Sequence, residues 1–188
     1  KTDSGLDLTF RYDISPVGSA DTGAMTIDEA SLAIAGGFGK IVLGMDDDAA
    51  DAYNIDEMDL PGEEPTATMA SSSIGTSSSI SSDDAMKVAY HLPAMGGLKA
   101  GVSFTDGGAG NTATDTTGYG AQYSMSAGGA AVTLGYSQSS TENSNQDIDS
   151  NNMAMKVVSG DISLIVSSSK YEANDEDRDN QGASISYN

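Results

Sequence analysis

The chain has 188 residues, with 28 acidic side chains against 8 lysines and arginines, a formal net charge of −20, and neither cysteine nor tryptophan. That charge excludes nucleic acid, which needs a basic face, and absent cysteine excludes a disulfide framework or a cysteine-ligated metal. No run of about 18 apolar residues exists, so no helix spans a membrane.

At 38% hydrophobic and 6% aromatic the composition is lean for a soluble core. The apolar residues nevertheless recur in alternation, which disorder does not produce. Leu6, Leu8, Phe10, Tyr12 and Ile14 fall on one face of a first strand, with Asp7, Thr9, Arg11 and Asp13 on the other. A polar loop holding Pro16 follows. A second strand runs from Met25 to Ala35, turns at Gly36–Gly39, where glycine supplies the positive φ of a tight hairpin, and returns as Lys40 to Met45. From Asp46 to about Ser82 comes an acidic, then serine-rich, stretch too long for an ordinary connection.

Beyond it the pattern is regular. Met86, Val88, Tyr90 and Leu92 alternate with Lys87, Ala89 and His91 before a turn at Pro93–Gly97. Leu98, Ala100, Val102 and Phe104 alternate with Lys99, Gly101, Ser103 and Thr105 before a Gly/Asn/Thr loop. Tyr119 to Met125, a turn at Ala127–Gly129 and Val132 to Tyr136 follow, then a polar loop from Ser139 to Ser150. Met153 to Val157, a turn at Ser159–Asp161, Ile162 to Val166, a charged loop from Tyr171 to Asn180 and Ala183 to Tyr187 complete the chain. About ten antiparallel strands result, short turns at one end and long loops at the other, which is an up-and-down all-β sheet. A soluble barrel would hide the apolar face inside; a membrane barrel turns it to lipid and keeps the polar face wet. Mid-strand charges such as Arg11, Lys87, Lys99 and Lys156, with the asymmetric loops, favour the second arrangement.

The chemistry-bearing residues are few. Asp46, Asp47, Asp48, Asp51, Asp56, Glu57 and Asp59 are too dense for a core and must meet water. Clustered carboxylates suit hard cations, so loosely held calcium is an open reading. Asp46, Asp48 and Glu57 take positions of a calcium-loop register, but Asp51 stands where its glycine should be and Ala50 where a ligand should be. No resident metal or cofactor is expected from one histidine, His91, and no cysteine. No Gly-x-Ser-x-Gly elbow surrounds a serine, and the paired acids have no aromatic sugar platform, so the expectation is not an enzyme.

The stretch IDEASLAIAGGFGKIVLGMDDDAADAY, Ile27 to Tyr53, resembles Gram-negative general porins, especially the alphaproteobacterial type. Asp83 to Tyr90, followed by Pro93 and Gly97 to Phe104, resembles that family's next hairpin. The resemblance implies a homotrimer of 16-stranded transmembrane barrels in the outer membrane, surrounded by lipid and lipopolysaccharide and passing ions and small hydrophilic solutes. It implies a single domain over 1–188, incomplete at both ends, with 46–82 folded into the lumen. The seven acids named above would form the acidic side of a constriction. The lumen bases Arg11, Lys87 and Lys99, with Lys40 and Lys156 as further candidates, would form the facing wall, and the channel would prefer cations. The competing reading is a secreted or surface acidic β-sheet protein, structural or adhesive, stiffened by calcium.

Overall fold

The computed structural model describes residues 2, 5–16, 25–55, 85–107, 114–143, 147–173 and 176–187. Its strands are β1 (Asp7–Pro16), β2 (Met25–Gly36), β3 (Gly39–Asp46), β4 (Ala85–His91), β5 (Leu98–Thr105), β6 (Thr114–Ala127), β7 (Ala130–Asn143), β8 (Asp147–Ser159), β9 (Ile162–Ala173) and β10 (Glu176–Tyr187). One short helix, α1 (Ala49–Ala52), follows β3. The ten strands form one sheet in chain order, every neighbouring pair antiparallel. The expected up-and-down order is therefore the observed one. The β6–β7 turn shows why its sequence is Gly-Gly: φ is +58° at Gly128 and +87° at Gly129, a pair of positive values that side chains with a Cβ resist.

Burial is inverted relative to a soluble protein. Phe10 is 72% exposed, Val88 52%, Val102 45% and Leu134 42%, whereas Ser103, Ser137 and Asn152 are at most 2% exposed. Leu43, Val88 and Phe104 share a register row on the outer face. The opposite, inner face carries Ser103, Gly118, Ser139 and Ser150 as register partners. What core the inner face has is small, with Ile55, Ala154 and Ile165 packed together. Ile165 lies on the polar-lined side, so it is a correction to simple alternation: it is buried because the chain after α1 covers it.

Of the stretches read as loops at 139–150 and 171–180, residues 139–143, 147–150, 171–173 and 176–180 are paired strand. β7 and β8 stay in register out to Glu142↔Asp147, and β9 and β10 out to Ala173↔Glu176. Hydrophobic alternation disappears there because both faces are polar: Gln138, Asn151, Lys170 and Asp179 continue the outer row above Tyr136. Pairing persists through backbone ladders and opposite charges such as Lys170↔Asp179. At the boundary, Tyr119 and Tyr136 lie 6.2 Å apart by ring centroid, and both hydroxyls donate to Gln138 Oε1.

Candidate functional site

Residues 46–55 leave β3 and cross the inner face of the sheet strand by strand. Asp48 starts α1 as its N-cap, with Oδ1 accepting the N–H of Asp51 at 2.7 Å. The Ala49 N–H donates to Ser103 Oγ on β5 at 2.8 Å. Ala49 and Ala50 are wholly buried, which their small side chains permit against so close a wall. Tyr53 OH and His91 Nδ1 share a hydrogen bond of 2.8 Å on β4. Gln122 Nε2 on β6 donates to the Tyr53 carbonyl at 3.2 Å. Asn54 Oδ1 accepts from Ser137 Oγ on β7 and, at 2.6 Å, from Asn152 Nδ2 on β8. The same Asn152 amide donates to the Ile55 carbonyl at 2.9 Å. The segment is thus fastened at successive strands from β4 to β8.

The wall has room because glycines line it. A Cβ on Gly120 would stand 2.8 Å from Tyr53 Cβ, and one on Gly135 would stand 2.7 Å from Ile55 Cδ1. Gly101 and Gly118 meet Tyr53 and Asp48 in the same way. These glycines, with Asn54 and Asn152, are functional positions that sequence reading missed. The available signal was parity: Gly101, Gly120, Ser137 and Asn152 are one register row.

The acids divide. Asp46 accepts from Ser31 Oγ at 2.8 Å. Its carboxylate, with those of Asp47 and Glu29, forms a group whose ligand atoms all lie within 4.8 Å of one another. Asp51 is half-buried, with its backbone N–H on the cap. Asp48 is only 3% exposed; it is a capping residue under the segment instead of a carboxylate facing open water. Burial raises its pKa, partly offset by the Asp51 N–H and the Lys87 charge. Asp56, Glu57 and Asp59 lie outside the described residues.

The bases do not form one facing wall. Arg11 ion-pairs with Asp13 at 2.9 Å and with Glu29, on the same side as the Asp46 group, because β1, β2 and β3 are adjacent. Lys87 is 5% exposed beneath the start of the segment and has interactions of its own. Lys99 is exposed on β5, opposite Gln122 and toward the short turns. Lys40 faces the same end as the register partner of His91. Lys156 lies further along the inner face, opposite Thr133.

The family model for Gram-negative porins matches residues 1–188. Sequence comparison with curated proteins gave no match. Among solved structures, the chain is similar to an anion-selective porin from Comamonas acidovorans, at 17% identity and a TM-score of 0.58, over 96% of this chain and 58% of that one. It is similar to a loop L8 deletion mutant of OmpT, an outer membrane protein of Vibrio cholerae, at 16% identity and a TM-score of 0.50, over 96% and 74%. The trimer form of in-vitro folded OmpT gives 15% identity and a TM-score of 0.49, over 98% and 72%. At such identities the likeness to the first two speaks for the fold alone.

Proposed function

The chain belongs to the Gram-negative porin family, an all-β outer-membrane protein of the antiparallel barrel type, and from that premise we propose that it forms a diffusion channel whose constriction is built by the segment beginning at Asp46. The full barrel passes ions and small hydrophilic solutes, assembles as a homotrimer amid outer-membrane lipid and lipopolysaccharide, and prefers cations. The observation that carries this reading is the fastening of residues 46–55 across the polar inner face. A segment held there narrows whatever space that face encloses, and opposed or clustered charges at a narrowing decide which ions enter.

Cation preference is supported by the sign of the group at Glu29, Asp46 and Asp47, which Arg11 offsets by one positive charge. The Comamonas porin is anion-selective, so the fold itself does not fix the sign. The test is the reversal potential of the full-length channel in a planar bilayer under a potassium chloride gradient. Potassium preference is expected. Asp46→Asn with Asp47→Asn should reduce it severalfold, and Arg11→Ala should increase it. Anion preference, or indifference to the paired substitution, would remove this segment from the selectivity mechanism.

A further inference from the structure

We propose that the Asn54–Asn152 amide pair is a clasp that sets the channel's size limit, with Asn152 the positioning residue that holds the inner segment at a fixed height above the wall. The inference rests on the channel reading above and deepens it, from a segment that narrows the pore to the residue that decides by how much.

One register row carries the segment. Gly101, Gly120, Ser137 and Asn152 are successive partners across β5, β6, β7 and β8, and their side chains lengthen along the row from none to a hydroxyl to an amide. Tyr53 lies directly on the glycine end. A Cβ on Gly101 would stand 2.8 Å from Tyr53 Cε2, and one on Gly120 would stand 2.8 Å from Tyr53 Cβ. Asn54 is one step further from the wall, its Oδ1 accepting from Ser137 Oγ at 3.2 Å. At the amide end, Asn152 Nδ2 donates to Asn54 Oδ1 at 2.6 Å and to the Ile55 carbonyl at 2.9 Å. The row is a ramp: each wall side chain fixes the height of the segment above it, and Asn152 fixes the greatest.

The direction of these bonds follows from donor chemistry. A backbone carbonyl only accepts, so the Asn152 atom facing Ile55 is its amide nitrogen, whose second hydrogen then serves Asn54 Oδ1. Asn152 is 2% exposed, so water does not replace a bond lost there. Its own Oδ1 is buried and, among the described residues, has no hydrogen-bond partner. The side chain therefore serves the site through its donors alone. A residue present only to fill space would not carry the cost of a buried, orphaned acceptor. The near end of the segment depends on the far one, since α1 has four residues and is too short to hold itself. Its bonds from the Ala52 N–H to the Asp48 carbonyl and from the Asn54 N–H to the Asp51 carbonyl report whether the segment is seated.

The test compares two variants of the full-length channel, Asn152→Leu, nearly isosteric but without a donor, and Asn152→Gln, longer but with the donor kept. Liposome swelling with neutral mono-, di- and trisaccharides reads the size limit, and hydrogen exchange of the Ala52 and Asn54 amides reads the seating. Asn152→Leu should lower that protection about tenfold, the loss of one hydrogen bond's worth of seating, and should admit a larger saccharide than the native channel passes. Asn152→Gln should stay near native in both. Asn54→Ala, which leaves the barrel wall unaltered, should reproduce part of the leucine effect, and the two combined should give less than the product of their separate effects. Native protection in Asn152→Leu would overturn the clasp, as would equal disturbance by leucine and glutamine, which marks a packing role. Lost protection with a native size limit would overturn the clasp's part in the size limit. Lost protection in Asn152→Leu with no solute passage even in the native protein would overturn the channel reading and leave Asn152 as the residue that seats the segment.

Discussion

At Asp48 a helix cap and a buried charge act in opposite directions. The Oδ1···H–N contact to Asp51 satisfies an otherwise orphaned donor, and Asn at the same position could accept it equally well. Burial of the carboxylate favours its protonated form and raises its pKa. A carboxyl whose pKa is higher in the docked segment than in a released one binds its proton more tightly when docked. Docking is therefore favoured as pH falls and opposed as pH rises through the interval between the released and docked values. Asp48→Asn should keep the segment seated and remove that dependence; Asp48→Ala should weaken seating by about 1 kcal/mol through loss of the cap. Hydrogen-exchange protection of residues 49–54, normalised to intrinsic rates at each pH, measures both. Protection that is flat with pH in the native protein, or lost in Asp48→Asn, would contradict the assignment. Asp48 also shows why acid density alone did not reveal each carboxylate's role. Asp46, Asp47 and Asp48 are consecutive and chemically identical, yet only the fold separates a cap from a group gathered with Glu29.

At the level of elements, strand alternation was legible because each strand between apolar and wet surroundings writes a period of two into the sequence. Val102 and Ser103 are adjacent residues on β5, the first 45% exposed on the outer face and the second 2% exposed beneath α1. Val102→Arg should cost roughly 2–4 kcal/mol if its site lies near the bilayer midplane, read as a lower urea midpoint in lipid vesicles. Ser103→Arg should leave that midpoint much nearer the native one and instead expel α1, read as increased single-channel conductance. A reversed pattern would invert the faces. The upper ends of β7 to β10 were not legible, since strands polar on both sides carry no periodicity even when fully paired. Tyr119 and Tyr136 mark where the apolar band stops, with rings on the outer face and hydroxyls on Gln138, the disposition of an interfacial aromatic girdle. The crossing of 46–55 was unreadable for another reason: its contacts span up to 98 residues of sequence, and glycine parity signals a close approach without saying what approaches.

For the whole molecule, antiparallel order puts the turns at Gly36–Gly39, 92–97, 128–129 and 160–161 at one end of the sheet and the C-terminal ends of β1, β3, β5, β7 and β9 at the other. The porin likeness predicts a periplasmic turn end. A cysteine at Asp161 should resist an impermeant thiol reagent on intact cells, while one at Asp177 should react; equal rates without permeabilisation would refute that orientation. The same axis organises charge. Between Asp46 and Glu64 the sequence holds Asp46, Asp47, Asp48, Asp51, Asp56, Glu57, Asp59, Glu63 and Glu64 and no lysine or arginine, whereas Lys40, Lys99 and Lys156 lie toward the turns on the inner face. Negative potential at a mouth concentrates cations only across about a Debye length, roughly 10 Å at 0.1 M salt and 3 Å at 1 M. Acids set back from the narrowest point then act in dilute salt and are screened in concentrated salt, while charges at the constriction itself act in both. The potassium preference of the full-length channel should therefore rise steeply as salt is diluted in the native protein, and the residue of preference left at 1 M should be what Asp46→Asn with Asp47→Asn abolishes. Reversal potentials measured at a fixed concentration ratio from dilute to molar salt separate the two contributions. A preference independent of salt would assign selectivity to the constriction alone, and one that vanishes entirely at 1 M would assign it to the mouth.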